Sequence, residues 1–103
     1  VEGFGPDWLV ISAGFDAHRD DPLTGLGLSA GDFGWMAARA LRWVGPGRTV
    51  AMLEGGYDLE ALTASAAATA AGFLGVSKTT EAPSAGGPGA AAVAAARAAH
   101  LPR

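Results

Sequence analysis

Two short apolar runs, each followed by a glycine-containing loop and then a helical pattern, organise the first 75 residues of this chain. The first run covers 7–13 and the second covers 48–53. Both runs are apolar at most positions instead of alternating, which is typical of parallel strands that helices cover on both faces. The runs therefore predict two buried parallel strands.

Between the two runs, the pattern predicts a long loop and then an amphipathic helix. The loop covers 14–28, and a loop of this length inside a compact unit is usually either functional or disordered. Ser29 and Asp32 have the spacing of a helix-capping pair, and the glycines and proline at 45–47 should end the helix. Its apolar residues recur with helical spacing and form one stripe: Phe33, Met36, Ala37, Ala40, Leu41 and Val44.

A second helix is predicted from a cap at Asp58 to about Leu74, with Gly75 placed to end it. Its predicted buried stripe is Leu59, Leu62, Ala66, Ala70 and Phe73. The three tryptophans, Trp8, Trp35 and Trp43, are interpreted as packing residues.

The rest of the chain divides into a linker and a terminal helix. Residues 76–89 are rich in Pro, Gly, Ser and Thr and are typical of a linker or surface loop. Residues 90–103 are rich in alanine and predict a truncated terminal helix, which needs a larger partner to be ordered. Because two parallel strands are too few for a stable sheet, we expect the chain to be the C-terminal portion of a larger α/β domain.

The candidate chemistry lies in the two loops that follow the predicted strands. Asp16 comes shortly after the first strand and Tyr57 shortly after the second. In parallel α/β sheets, ligands gather at the carboxyl ends of the strands. We therefore expect Asp16 and Tyr57 to face one cleft.

Composition narrows the classes of function. The formal net charge of −3 and the lack of a basic stripe argue against direct nucleic-acid binding. The absence of cysteine excludes disulfides and thiolate metal sites and is compatible with a cytoplasmic location. No apolar run approaches the roughly 20 residues that a membrane span needs, and no signal peptide opens the chain.

Three motifs together resemble the histone deacetylase family, which includes acetylpolyamine amidohydrolases and acetoin-utilisation proteins. They are Pro6-Asp7-Trp8-Leu9-Val10-Ile11-Ser12-Ala13-Gly14-Phe15-Asp16-Ala17-His18, then Asp21-Pro22-Leu23, then Leu53-Glu54-Gly55-Gly56-Tyr57. The resemblance covers about residues 1–75. It implies a three-layer α/β/α domain around a parallel sheet. It also implies zinc-dependent hydrolysis of an acetyl amide on a lysine or a polyamine.

The resemblance also implies roles for individual residues. Asp16 matches the last of three zinc ligands, and Tyr57 matches the tyrosine that stabilises the transition state. The remaining Asp and His ligands and a pair of histidines belong to motifs upstream of Val1, in the missing N-terminal part of the same domain. One carboxylate cannot hold zinc tightly, so we expect this segment alone to be inactive.

Supporting roles are predicted around these two residues. The cleft-supporting residues are Gly14, Phe15, Gly55 and Gly56, and the glycines should let the backbone bend so that Tyr57 reaches the metal. Asp21 and Pro22 are interpreted as a turn that fixes the loop carrying Asp16. His18 is a possible second ligand beside Asp16, but we favour a packing role in the cleft wall. Glu54 could act as a base, although bracing of the backbone fits its position better.

Two other functions remain open from the sequence. A non-catalytic interaction module is disfavoured by apolar strand faces that would be exposed. An arginase-like dimanganese hydrolase shares the general architecture, but the Glu54–Tyr57 motif and the lack of a carboxylate-rich bimetal motif disfavour it.

Overall fold

The structure is a computed structural model, and it describes residues 1, 3–76 and 81–100 of the chain. The elements are β1 (Leu9–Ala13), α1 (Ala30–Ala40), β2 (Thr49–Leu53), α2 (Leu59–Phe73) and α3 (Ala90–His100), with a short 3₁₀ turn at Leu41–Trp43. The predicted β-α-β-α order is confirmed. Parts of the predicted linker and of the predicted terminal helix, at 77–80 and 101–103, lie outside the described residues.

The two strands pair in parallel, with Leu9 opposite Thr49 and Ala13 opposite Leu53. Backbone hydrogen bonds continue beyond the strands, because the Glu54 N–H donates to the Ala13 carbonyl at 3.1 Å and the Phe15 N–H donates to the Gly55 carbonyl at 2.8 Å. The loops after β1 and β2 therefore leave the same edge of the sheet side by side.

Neither strand is buried on both faces by the described part of this chain. Along β1, half-buried positions alternate with exposed ones such as Val10, and most of β2 is exposed. The half-buried positions, including Leu9 and Ile11, line a cavity of about 520 Å³ that α1 also lines. The described helices thus cover one face of β1 incompletely, and no described element covers the other face.

The start of α1 follows local sequence signals. The Ser29 hydroxyl accepts from the Asp32 N–H at 3.3 Å, and the Asp32 carboxylate accepts from the Ser29 N–H at 2.8 Å. Both predicted halves of the capping pair are therefore present. The helix ends at Ala40, earlier than predicted, and the predicted stripe is buried at Phe33, Ala37 and Ala40.

The remaining positions of that stripe differ from the prediction. Met36 is exposed, whereas Leu41 and Val44 lie beyond α1 and are half-buried. Two of the tryptophans interpreted as packing residues, Trp8 and Trp35, are also exposed, and Trp43 is half-buried beside the cavity. Trp35, Met36 and Trp43 line the cavity that the described helices leave open.

The cap and the end of α2 agree with the prediction, but its buried face does not. Asp58 caps the helix by accepting from the Ala61 N–H at 2.8 Å, and Gly75 has a positive φ of 71° just after it. Of the predicted stripe, Leu59 is 79% exposed. The buried positions are instead the small residues Ala61, Ser65, Ala68 and Gly72.

Close packing of α2 on α1 explains this difference. A Cβ on Gly34 would lie 2.9 Å from the Ala68 carbonyl oxygen, and a Cβ on Gly72 would overlap the Gly34 carbonyl oxygen. The backbones approach so closely that only small side chains fit between them. The hydrophobic pattern of α2 points to its large residues as the buried face, whereas the close contact with α1 buries its small residues instead.

Replacing Gly72 with alanine is expected to destabilise the fold. The added methyl group would press on the backbone of α1, and such overpacking typically costs about 1–3 kcal/mol. Because the overlap is with backbone atoms, we expect the upper part of that range, which exceeds the roughly 1 kcal/mol that alanine gains over glycine in a helix. Equilibrium denaturation would measure the free energy of unfolding, with Gly25→Ala as the control because a Cβ there meets no atom within 4 Å. Equal stability of the two variants would contradict the close packing.

The predicted terminal helix is present as α3, and every residue of it is exposed. No helix in the described part of the chain has both the length and the apolar character of a membrane span.

Candidate functional site

The structure brings Asp16 and Tyr57 together at the edge where the two loops emerge. A Cβ placed on Gly55 would lie 3.0 Å from Asp16 Oδ2 and 3.5 Å from the Tyr57 hydroxyl oxygen. Two oxygens that lie so close to one point are near neighbours. The structure therefore places the two side chains close together, whereas a shared cleft and their chemical roles remain predictions.

Glycines make room for the Asp16 carboxylate on both sides. Its Oδ1 lies 3.5 Å from the Cβ position of Gly14, and its Oδ2 lies beside Gly55. Any larger side chain at Gly55 would push on the carboxylate or on the phenol of Tyr57. Space between the loops therefore favours glycine at Gly55, whereas a Cβ on Gly14 would make only ordinary contacts.

A buried contact anchors these loops to α1. The Phe15 ring is buried and packs edge-on against the Phe33 ring, with ring centroids 5.0 Å apart. Gly56 has a φ of 133°, and a Cβ there would lie 3.3 Å from the Phe15 Cβ and 3.1 Å from Leu62 Cδ1. The conformation of Gly56 thus lets the second loop close over Phe15, with Tyr57 following directly.

Asp21 connects the two loops. Its side chain is 7% exposed; Oδ2 accepts from the Tyr57 N–H at 3.0 Å and Oδ1 accepts from the Leu23 N–H at 2.8 Å. The sequence predicts that Asp21 and Pro22 form a turn that fixes the first loop. The hydrogen bond from the Leu23 N–H to Asp21 spans the exposed Pro22 and holds such a turn. The bond to Tyr57 is additional and was not predicted.

The Asp16 carboxylate is an available ligand. The Thr24 hydroxyl donates to the Asp16 carbonyl and holds its backbone. Within the described part of the chain, no hydrogen bond reaches the carboxylate oxygens. A half-buried carboxylate without a donor suits a cation, and carboxylate oxygens bind Zn²⁺ at roughly 2.0–2.2 Å. The residue therefore fits the zinc that the resemblance implies, as one ligand of a set.

His18 lies in the interior of the first loop and is fully buried. Its Nδ1 accepts from the Asp20 N–H at 3.0 Å, so the ring proton lies on Nε2, which donates to Glu81 Oε1 at 2.8 Å. His18, Asp20 and Glu81 place possible ligand atoms within 4.8 Å of one another. Both ring nitrogens are already used, so this group does not fit a metal ion as arranged.

Residues 81–84, called the clasp below, pack against the start of α1. The Ser29 hydroxyl donates to the Ala82 carbonyl at 2.7 Å, and the Ala30 N–H donates to Glu81 Oε1 at 2.7 Å. The Ser84 N–H and hydroxyl donate to the Asp32 carboxylate at 2.8 and 2.6 Å. This part of the predicted linker has no helix or strand, yet it makes specific contacts that sequence reasoning missed.

The contacts between the clasp and the start of α1 stabilise the charged forms of Glu81 and Asp32. The hydrogen bond from the Ala30 N–H is the main cause that lowers the pKa of Glu81, against the opposing effect of burial, with further help from His18 and Arg19. At Asp32, burial alone would raise the pKa, but hydrogen bonds from Ser29 and Ser84 outweigh it and lower the pKa. Both groups are therefore anionic at neutral pH and act as acceptors.

Comparisons with known proteins identify the family of this chain. The histone deacetylase domain family matches residues 1–73. Histone deacetylase 10, chloroplastic, of Oryza sativa subsp. japonica is 50% identical over 79 residues, which cover 73% of the chain and 18% of the rice protein. Acetylpolyamine amidohydrolase 1 of Pseudomonas aeruginosa is 35% identical over 78 residues, which cover 76% of the chain and 22% of that protein.

Solved structures show the same relationship. The structure of the histone deacetylase Clr3 has a TM-score of 0.74 and 30% sequence identity, and covers 87% of the chain and 15% of Clr3. The chain spans about a fifth of the length of the two curated relatives. Its α/β architecture with a parallel strand pair is thus shared with deacetylase domains. Because the family model extends over most of the sequence, this chain belongs to the histone deacetylase domain family.

Proposed function

We propose that the protein is a zinc-dependent amide hydrolase that removes an acetyl group from an acetylated amine. One observation carries the proposal: the Asp16 carboxylate and the Tyr57 hydroxyl lie 3.0 and 3.5 Å from the same Cβ position on Gly55. The first group is suited to holding a metal and the second to donating a hydrogen bond. Hydrolysis of an amide needs both functions at one carbonyl group.

In this proposal, Asp16 supplies one zinc ligand, and the other ligands and the proton-transferring histidines come from parts of the domain outside this chain. Zinc held there would polarise the substrate carbonyl and would lower the pKa of a bound water to roughly 7. The Tyr57 hydroxyl donates a hydrogen bond to the carbonyl oxygen as negative charge develops on it. Asp21 fixes the backbone of Tyr57, and Gly55 keeps the space between phenol and carboxylate open.

The substrate class follows from the relatives. One is named a histone deacetylase and another an acetylpolyamine amidohydrolase. We therefore propose an acetylated lysine of a protein or an acetylated polyamine as the substrate. The net charge of −3 supports an enzyme that does not bind nucleic acid directly. A cytoplasmic location remains a prediction from the absence of cysteine.

Assays of the whole protein that carries this chain test the function. Acetyl-lysine peptides and acetylated polyamines would be offered in parallel, with metal analysis of the same sample. We expect release of acetate, loss of activity on removal of the metal by a chelator, and recovery on addition of Zn²⁺. Activity restored only by manganese at two ions per chain would favour the arginase-like alternative, and absence of hydrolysis of every acetylated amine would contradict the proposal.

Substitution of Gly55 by alanine is expected to lower kcat about tenfold or more. A Cβ there would lie 3.0 Å from Asp16 Oδ2, which is tighter than an ordinary contact, so the carboxylate must shift by a few tenths of an ångström. Displacement of a reacting group by about 1 Å can cost roughly 100-fold in rate. Steady-state kinetics would compare this variant with Gly25→Ala, where the added methyl group meets no atom within 4 Å. Equal kcat values would show that the loops do not need this space.

A further inference from the structure

We infer that Glu81 is a positioning residue that acts on Tyr57 through His18 and Asp21. This inference rests on the function proposed above. Glu81 lies outside residues 1–73, the part that the family model matches, and within the segment whose composition is that of a linker. Three observations place it in a connected network.

The first observation is that the clasp packs into a defined space at the start of α1. A Cβ on Gly31 would overlap the backbone of 81–83, so the bare glycine provides the space in which the clasp lies. Ser29 and Ala30, both fully buried, bond to Ala82 and Glu81 respectively. The backbone of the clasp and the carboxylate of Glu81 are therefore both held at the first turn of α1.

The second observation is the contact between Glu81 and His18. The ring Nε2–H of His18 is completely buried and donates to Glu81 Oε1 at 2.8 Å, and the Arg19 guanidinium donates to Oε2 at 3.3 Å. A buried donor that loses its acceptor is costly, so the ring would have to move if the carboxylate were removed. The orientation of the His18 ring thus depends on Glu81.

The third observation is that His18 holds the loop that contacts Tyr57. Its ring accepts from the Asp20 N–H at 3.0 Å, and its carbonyl accepts from the Asp21 N–H at 3.0 Å. Asp21 in turn accepts from the Tyr57 N–H at 3.0 Å. Four residues therefore form one hydrogen-bonded path from the clasp to the residue proposed to donate to the substrate.

Hydrogen exchange of the whole protein tests the network without requiring activity. In Glu81→Ala, the amides of Asp20, Asp21 and Tyr57 are expected to exchange about tenfold faster or more, while Glu81→Gln retains an acceptor oxygen and much of the protection. Ser84→Ala is the matched control, because Ser84 belongs to the clasp but bonds to Asp32 and not to His18. Equal exchange of these amides in Glu81→Ala and Ser84→Ala would overturn the inference, whatever reaction the protein catalyses.

Kinetics then separate positioning from general stability. Glu81→Ala is expected to lower kcat about tenfold, with Glu81→Gln recovering most of it and KM changing little. If Glu81 acts through Tyr57, the substitution should have almost no further effect on kcat in a Tyr57→Phe background, because interacting residues are not additive. Equal effects of Glu81→Ala in both backgrounds would overturn the route through Tyr57. Lack of activity in the wild-type protein would count against the proposed function, and the exchange experiment would still decide the network.

Discussion

Tyr57→Phe is expected to lower kcat about 100- to 1,000-fold, because removal of one hydrogen-bond donor to a developing oxyanion has that effect in other hydrolases. The substitution removes only the hydroxyl group. The side chain is 56% exposed in this chain, and no hydrogen bond to its hydroxyl is found among the described residues. The change should therefore leave the fold and the bound zinc as they are.

Steady-state kinetics with zinc analysis of the same preparation would check this result. The metal content serves as the internal control, because Asp16 and not Tyr57 is the proposed ligand. A variant that keeps its zinc and loses turnover supports oxyanion stabilisation. Unchanged kcat would remove Tyr57 from the reaction, and lost zinc would mean that the tyrosine holds the site together instead.

Asp16→Asn is expected to reduce the zinc affinity more than 100-fold and to abolish measurable turnover. Substitution of residues that merely orient a metal ligand typically costs about 10- to 100-fold in affinity or activity, so loss of a ligand should cost more. The amide is nearly the same size as the carboxylate, so the loops around Gly14 and Gly55 can remain in place. Competition with a chromogenic chelator would measure the affinity.

Asp20→Asn is the matched control for that experiment. Asp20 belongs to the same loop, and its exposed carboxylate lies 4.0 Å from His18 Nδ1, in the group of His18, Asp20 and Glu81. We expect this variant to bind zinc like the wild-type protein, because both nitrogens of His18 are already hydrogen-bonded. A larger loss of zinc in Asp20→Asn than in Asp16→Asn would show that the metal binds at the group of His18, Asp20 and Glu81 and not at Asp16.

Features that depend on neighbouring residues or on strand direction could be predicted from the sequence. The caps at Ser29 and Asp58 need only a polar side chain and a backbone N–H three positions on, so local spacing is enough to find them. The meeting of Asp16 and Tyr57 follows from two parallel strands, because their carboxyl ends lie at one edge.

Features that depend on distant contacts could not be predicted in the same way. The buried face of α2 is set by the approach of Gly34 to Gly72, and a pattern of large apolar residues points to the wrong face. Glu81 binds His18 across 63 positions of sequence, and its surroundings have the composition of a linker. The sequence offers only two hints of this contact: Glu81 is the single acidic residue of 76–89, and His18 has no partner assigned from the sequence.

The most direct test of the central claim is anomalous scattering at the zinc edge from crystals of the whole protein with an acetylated-amine analogue bound. We predict one zinc peak at roughly 2.0–2.2 Å from an Asp16 carboxylate oxygen, with the Tyr57 hydroxyl directed at the bound carbonyl. A zinc peak beside His18 and Glu81, or zinc bound at a site that Asp16 does not touch, would contradict it.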